Sequence, residues 1–500
     1  GLVYEKTFRN HNMGIKVDLL LVNPGNRLEQ FATLSDLATV APPLGIGLIA
    51  AFVRRYGFSA AIIDAEAEFW TPEQTITEIE KYDPILVGLS AFTTKMTAAG
   101  KILELIKSKM PHVKTMAGGH HPSAVPEQTL IEEKVDFVIK GEGYIPTLDL
   151  LRRLKEKKDT STINGVWCIG NKGEVINNGL AKWTSNLDNL PFVAWDLLPM
   201  DKYRAHHWQT WDYNLDQSRF AVLHTSLGCP FSCDYCSVNV VYQKNLVRYR
   251  GVKKVVDEME LLVKNYNVQH LEIVDDTFTV NAKRVELLCD EIIKRGLGEK
   301  LNMWCFSRTN TVQPKFMNKM KKAGINWVFM GFESGNDMVL RGVNKKQNVD
   351  KIRRAVDIVS DAGIYVGGNY IFGLPEDTKL SMEQTIDLAK NLNTEYANFF
   401  VMMAYPGTEF NRKAKANNIP LPKEWRQYGF FAPDSLPLAN AQLTADEILK
   451  FRDNSFIEYF QGKSYQVMIE KKFGSEILNY INNKILSKKI FRKESACCYC

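Results

Sequence analysis

Three cysteines within eight residues constrain this 500-residue chain more than any other feature. Cys229, Cys233 and Cys236 have the spacing C-x3-C-x2-C and follow an apolar run, residues 220–223, that predicts a strand. We therefore expect them in a strand-to-helix loop, where thiolates can converge. A structural zinc site needs four ligands, and no fourth Cys or His stands at a fixed short spacing, so the trio favours an iron–sulfur cluster. The alternative is that they are ordinary buried thiols of a reduced protein.

The motif and its flanks resemble the radical S-adenosylmethionine (SAM) superfamily. The resemblance rests on the cysteine spacing, on Tyr235 directly before the third cysteine and on the strand before the first. It implies a 4Fe-4S cluster ligated by Cys229, Cys233 and Cys236. The fourth iron of such a cluster is open, and the amine and carboxylate of SAM can fill it.

Composition excludes several classes of protein. A hydrophobic content of 45% with 11% aromatic residues is typical of a globular protein, and the length allows two or three domains. No apolar run of about 18 residues and no signal-peptide core is present, so we expect a cytoplasmic protein without a transmembrane segment. Residues 463–500 carry eight Lys or Arg against three Asp or Glu, which accounts for most of the net charge of +6 and argues against a nucleic-acid surface.

Residues 1–14 are expected to be an extension, and residues 15–160 to form the first domain. Short apolar runs alternate there with amphipathic stretches such as Leu44 to Arg55 and Met96 to Lys109, which predicts an α/β, doubly wound, Rossmann-like parallel sheet. The strands are predicted at residues 17–22, 61–64, 85–90, 114–117 and 137–139. Gly-rich and polar clusters follow the strands, where such sheets bind ligands.

Taken together, these clusters resemble a cobalamin-binding domain. The matching segments are Pro-Pro-Leu-Gly, Gly-Leu-Ser, Gly-Gly-His-His-Pro-Ser and Val-Asp-Phe-Val-Ile-Lys-Gly-Glu-Gly. The resemblance implies that cobalamin is bound by Pro43, Leu44, Gly45, Ser90, Thr93, Gly118, Gly119, His120, Glu142 and Gly143. The Asp-x-His-x-x-Gly motif, whose His binds cobalt from below in other cobalamin proteins, is absent, so the lower axial ligand stays undefined. His120 and His121 are candidates, although a His beside two glycines is expected to border the corrin.

Residues 161–215 lack clean periodicity and are predicted to be a linker packed between domains, whereas residues 216–410 resume the alternation. Six strand–helix units predict a partial (β/α)6 barrel, a TIM-barrel-like fold, whose reactive residues lie at the C-terminal strand ends. The strands are predicted near residues 221–225, 271–274, 302–306, 327–331, 365–372 and 397–403. The superfamily resemblance implies that SAM is bound there by Tyr235, Asp275, Asp276, Arg308, Glu333, Ser334, Asn369 and Gly373. For Asp275 and Asp276 the alternative is a helix N-cap.

Residues 411–500 are predicted to form a mainly helical region that caps the barrel and shapes the substrate pocket. This region resembles that of cobalamin-dependent radical SAM methyltransferases and anaerobic ester cyclases. Its basic amphipathic end is either a docked surface helix or a peripheral membrane contact. Cys497, Cys498 and Cys500 are assigned either to a metal or to a frayed terminus.

The resemblances imply a metal-binding, oxygen-sensitive methyltransferase that uses SAM, a 4Fe-4S cluster and cobalamin. A 5′-deoxyadenosyl radical would abstract hydrogen from an unactivated carbon, and methylcobalamin would supply the methyl group. Such an enzyme needs a low-potential electron donor, a flavodoxin or a ferredoxin. The alternatives are a cyclase or oxidative rearrangement enzyme, or a corrinoid or electron carrier without catalysis. The sequence predicts neither the substrate nor the oligomeric state.

Overall fold

A computed structural model describes residues 14–493, and their first unit is a sheet flanked by helices. The strands are β1 (Ile15–Asn23), β2 (Ala60–Asp64), β3 (Tyr82–Ser90), β4 (Lys114–Gly118), β5 (Phe137–Ile139), β6 (Val166–Ile169) and β7 (Val175–Ile176). The helices are α1 (Arg27–Phe31), α2 (Leu44–Arg54), α3 (Ala65–Glu68), α4 (Pro72–Ile79), α5 (Met96–Lys109), α6 (His120–Ala124), α7 (Pro126–Glu133) and α8 (Tyr144–Lys155). The sheet order is β2-β1-β3-β4-β5-β6-β7, and β1 to β5 are parallel.

Both faces of this sheet are covered, which explains the continuous apolar run of β1. Leu19 and Leu21 pack with residues of α2 and α8, whereas Leu20 and Val22 pack with residues of α4 and α5 on the opposite face. A parallel strand buried on both sides needs apolar residues at every position rather than at alternate ones. The predicted doubly wound fold is confirmed.

The stretch predicted as a linker contributes two strands to this sheet. β6 pairs antiparallel with β5, and β7 pairs antiparallel with β6, which extends the sheet past the expected boundary at residue 160. No α-helix separates β6 from β7, so this part of the chain lacks the strand–helix alternation from which the other strands were predicted. Further along, Trp195, Trp208 and Trp211 are buried in the core of the second unit.

The second unit is an open barrel. Its strands are β8 (Phe220–Leu223), β9 (Ser226–Leu227), β10 (Arg248–Tyr249), β11 (His270–Ile273), β12 (Asn302–Ser307), β13 (Ile325–Glu333), β14 (Tyr365–Phe372) and β15 (Tyr396–Val401). Its helices are α9 (Val252–Tyr266), α10 (Ala282–Lys294), α11 (Pro314–Lys322), α12 (Asp337–Gly342), α13 (Val349–Asp361) and α14 (Lys379–Leu392). Six parallel strands have the order β8-β11-β12-β13-β14-β15, and β9 and β10 form an antiparallel ribbon beside them. Each predicted barrel strand overlaps an observed one.

Helices at the end of the described chain cover the barrel. They are α15 (Glu409–Ala416), α16 (Ala445–Phe460), α17 (Lys463–Phe473) and α18 (Ser475–Tyr480), followed by a π-helical turn at Ile481–Ile485. Tyr465, Ile469, Ile477 and Ile481 are buried in the barrel core, which matches the docked-helix alternative for this basic segment. Cys497, Cys498 and Cys500 lie outside the described residues. Within residues 14–493, none of the helices is long and apolar enough to cross a membrane.

Candidate active site

The three motif cysteines lie in the loop that follows β9, as the sequence predicts. Cys229 is buried, Cys233 is half-buried, and Cys236 reaches a cavity of about 650 Å3 that Cys233 also lines. The loop is held by Asn239, whose Nδ2 donates to the carbonyls of Cys229 and Phe231 at 3.1 and 3.2 Å. Among residues 14–493, no three His, Cys, Asp or Glu side chains converge on one metal-ion position.

The surroundings of the thiols fit an iron cluster. Burial raises the pKa of the Cys229 thiol. This thiol is therefore protonated at neutral pH until a bound metal displaces the proton. Arg308 supplies positive charge here, because its Nη1 donates to Cys233 Sγ at 3.1 Å. The Arg308 guanidinium also stacks on Phe231, 3.9 Å from the ring centre.

Two other predicted SAM ligands contact each other beside this loop. The Tyr235 hydroxyl donates to Glu333 Oε1 at 2.9 Å, and Lys345 Nζ donates to the same oxygen at 2.5 Å. Lys345 connects this pair to Arg308, because its carbonyl accepts a hydrogen bond from Arg308 Nη2. Glu333 has φ of 64°, in the left-handed region that a non-glycine residue adopts at a cost, as residues at functional sites often do. Tyr235, Arg308 and Glu333 thus form one network next to the cysteines.

The carboxylate of Asp275 is hydrogen-bonded by groups of the protein itself. Its carboxylate accepts four hydrogen bonds, from the backbone N–H and the hydroxyl of Thr225 and of Ser226, at 2.5 to 3.1 Å. These residues join β8 to β9 directly before Cys229, so Asp275 fixes the path of the cluster loop rather than facing SAM. The helix N-cap alternative does not apply, because the cap of α10 is Asn281.

Three further predicted SAM ligands lie apart from the Tyr235 network. Ser334 is fully buried and its hydroxyl lies 3.3 Å from that of Thr385. Gly373 has φ of 80°, and a Cβ there would lie 2.6 Å from Ile448 of α16, so this glycine is required by a turn packed against the cap. Asn369 faces the barrel interior.

The predicted cobalamin residues converge on a cavity of about 600 Å3 between the first sheet and the barrel. Nine of the ten line it: Pro43, Leu44, Gly45, Ser90, Gly118, Gly119, His120, Glu142 and Gly143. Thr93 lies beside it, with Oγ1 3.1 Å from His121 Nδ1. A Cβ at Gly45 would meet no protein atom within 4 Å and would project into the cavity, so the glycine leaves room for a ligand. These residues could hold cobalamin.

The barrel supplies the other wall of this cavity. Val222, His224, Tyr242, Val274 and Asp276 line it. Asp276 therefore lies at the cobalamin cavity instead of in the Tyr235 network. His224 is not among the predicted site residues, although a histidine directly after a buried strand was the available signal.

Both histidines proposed near cobalt are neutral imidazoles. Burial lowers the pKa of His120 and of His121 to about 4. His120 stacks on Phe92 with the ring centres 5.0 Å apart, at the edge of the cavity. The His121 side chain contacts other residues instead. Its Nδ1 lies 3.1 Å from Thr93 Oγ1, and its ring packs edge-on against Trp425 with the ring centres 4.3 Å apart.

A third cavity, of about 650 Å3, lies inside the barrel beneath the C-terminal helices. Nine aromatic side chains line this aromatic cavity: Phe31, Trp208, Trp304, Phe306, Phe329, Tyr396, Phe400, Phe431 and Phe456. Its polar lining residues are Thr39, His206, His207, Glu272, Asn369, Asn398, Arg452, Asp453, Gln461, Lys488 and Lys489. Burial raises the pKa of Glu272 to about 8. The cavity could not be predicted from the sequence, because its strand residues have the same pattern as an ordinary core. Glu272 between the buried residues Leu271 and Ile273 of β11 was the available signal.

Comparison with known proteins agrees with this geometry. Residues 32–151 match the B12 binding domain family, and residues 223–389 match the Radical SAM superfamily. The chain is 32% identical over 462 residues to an uncharacterised methyltransferase of Pyrococcus horikoshii, and the match covers 91% of each protein. The chain belongs to the cobalamin-dependent radical SAM enzymes. As a member of that family, this enzyme uses a 4Fe-4S cluster, SAM and cobalamin.

Two more relatives bear on this radical SAM enzyme. The anaerobic magnesium-protoporphyrin IX monomethyl ester cyclase of Rubrivivax gelatinosus is 26% identical over 439 residues, which cover 86% of this chain and 76% of the cyclase. The cobalamin-dependent SAM radical enzyme OxsB, solved with aqua-cobalamin and SAM bound, superposes with a TM-score of 0.67 at 18% identity. That superposition covers 93% of this chain and 76% of OxsB, and it shows a shared fold.

Proposed function

We propose that this enzyme methylates an unactivated carbon of a largely apolar substrate held in the aromatic cavity. The observation that carries the proposal is that this cavity and the cobalamin cavity share a wall residue, Glu272. A methyl group on cobalt would therefore have a short path to a carbon at that wall. The similarity to the Pyrococcus horikoshii methyltransferase over most of the chain supports the same reaction.

When bound, the cluster with SAM supplies a 5′-deoxyadenosyl radical, and cobalamin supplies a methyl group. We assign Cys229, Cys233 and Cys236 to the cluster, and Tyr235, Arg308 and Glu333 to the orientation of SAM. The nine residues of the first domain that line the cobalamin cavity are assigned to cobalamin, together with Asp276 from the barrel. The aromatic wall excludes water from the reacting carbon, and its rigid side chains fix that carbon in place.

Electron delivery and cellular location follow from this chemistry. The cavity beside Cys233 and Cys236 opens towards Arg412 and Lys413, and it gives a reductant access to the cluster. We assign that role to a flavodoxin or ferredoxin, and we place the enzyme in the cytoplasm, where thiols stay reduced.

The test uses SAM that carries a deuterated methyl group, with the anaerobically reconstituted enzyme and a chemical reductant. A methylase of this kind transfers a SAM methyl group to cobalamin before it methylates substrate. We expect S-adenosylhomocysteine and trideuteromethylcobalamin in equal amounts, both detected by mass spectrometry. When substrate is added, 5′-deoxyadenosine and a trideuteromethylated product should accompany them.

The second candidate is a ring-forming or oxidative reaction in which cobalamin donates no methyl group. The similarity to the Rubrivivax gelatinosus cyclase favours it. A cyclase should release 5′-deoxyadenosine without S-adenosylhomocysteine and leave cobalamin unlabelled. That result would overturn the methylase proposal in favour of this one.

A further inference from the structure

Glu272 is placed in the barrel wall by the alternation of β11. Its neighbours Leu271 and Ile273 are fully buried on the face that packs against the barrel helices, so Glu272 points to the interior. The strand pairs on both sides, with Glu272 in register with Val222 of the edge strand β8 and Trp304 of β12. The side chain is 8% exposed, and that exposure is towards the cavities.

Other buried carboxyls of the barrel have protein partners, and Glu272 differs from them. Glu258 accepts from Val193 N, Trp195 Nε1 and Arg250 Nη2, at 2.6 to 3.0 Å. Glu333 pairs with Lys345. Within the described part of the chain, no donor or cation contacts the Glu272 carboxyl. Because a buried polar group without a partner is unfavourable, its retention in an aromatic wall points to a partner that arrives with a ligand.

The location of Glu272 indicates where the ligand is held and what kind of group contacts the carboxyl. Among the described residues, Glu272 alone lines both the aromatic cavity and the cobalamin cavity. A group that contacts it is held at the boundary between the two. With its pKa raised to about 8 by burial, the carboxyl is mostly protonated at neutral pH, so it can both donate and accept a hydrogen bond without placing a negative charge of its own beside the aromatic side chains.

We propose that Glu272 determines substrate specificity by hydrogen-bonding a hydroxyl or N–H group on an otherwise apolar, ring-containing substrate. The contact orients the substrate so that a carbon near this polar group faces the cobalamin cavity. The role in orienting a carbon rests on the proposed methyl transfer, whereas the selective binding does not. The substrate class is therefore a large apolar molecule with one hydrogen-bonding group close to the reacting carbon.

The test measures the affinity of the reconstituted enzyme for two probes by isothermal titration calorimetry. The probes are 2-naphthol, which carries a hydroxyl donor, and 2-methoxynaphthalene, which has the same rings without it. We expect the enzyme to bind 2-naphthol about tenfold more tightly, the effect of one hydrogen bond in an apolar site. Glu272→Leu should abolish the preference, and Glu272→Gln should keep it because the amide both donates and accepts.

The matched control is Glu133→Gln. Glu133 is also a carboxyl whose pKa burial raises, to about 7, but it lies on α7 and lines none of the three cavities described above, so the preference should stay tenfold. Glu272→Met replaces the Leu variant if that protein does not fold. A tenfold preference that persists in the apolar variant, or a wild-type enzyme without the preference, would overturn the proposal. A normal preference in an enzyme that transfers no methyl group to cobalamin would instead refute only the proposed function.

Discussion

At the scale of single residues, the cysteine motif makes the most direct prediction. Replacing Cys229, Cys233 and Cys236 together by Ala should remove the broad iron–sulfur absorbance after anaerobic reconstitution, because the other described cysteines, Cys168, Cys289 and Cys305, lie on β6, α10 and β12 rather than in this loop. Bound iron and sulfide, measured chemically, should fall to background.

The control is a variant with Cys168, Cys289 and Cys305 replaced by Ala, since these thiols are buried away from the loop. It should keep its iron. Full retention of iron and sulfide in the motif variant would refute the cluster assignment.

Residue roles that depend on a short segment could be predicted from the sequence, and roles that depend on distant partners could not. The cysteines share one loop, and their spacing carries the chemistry. By contrast, Asp275 is saturated by donors of Thr225 and Ser226, about fifty positions earlier, and no local pattern reveals that pairing. The role proposed for Glu272 likewise depends on the folded chain, because it requires that the side chain line two cavities at once.

At the scale of elements, the turn from β8 to β9 depends on Asp275. Because this buried carboxylate accepts four hydrogen bonds, Asp275→Ala leaves two N–H groups and two hydroxyls without their acceptor. We expect the variant to be destabilised by about 2–4 kcal/mol, measured by chemical denaturation of the apoprotein, and to bind less iron. Asp276→Ala, at the adjacent cavity-lining position, should cost about 1 kcal/mol or less. Equal losses in the two variants would contradict the role assigned to Asp275.

The elements themselves were largely predictable, for a physical reason. Strands such as β5 and β14 and helices such as α5 have the predicted bounds, because each belongs to the regular alternation of strands and amphipathic helices. β6 and β7 escaped prediction because they are antiparallel additions, β6 to β5 and β7 to β6, in a stretch where no α-helix separates one strand from the next.

At the scale of the whole molecule, the cobalamin cavity exists only where the two units meet. Arg248 of the barrel forms a buried ion pair with Glu142 of the first domain, and its guanidinium lies 4.6 Å from the ring centre of Trp183. Tyr203 donates to Asp64 at the end of β2, at 2.8 Å. These contacts fix the distance between the cavity's two walls, and the two polar pairs join residues that are 106 and 139 positions apart in the sequence.

This arrangement makes a prediction about cobalt. His120 lies at the cavity edge on Phe92, His121 is held by Thr93 and Trp425, and the Asp-x-His-x-x-Gly motif is absent. We therefore expect that no histidine nitrogen binds cobalt from below. Bound cob(II)alamin in an enzyme labelled with 15N only at histidine should give the same electron paramagnetic resonance spectrum as in the unlabelled enzyme. A nitrogen triplet from the cofactor's own base would not respond to the label, whereas a triplet that becomes a doublet would prove a histidine ligand. Variants of His120, His121 and His224 would then identify which one it is.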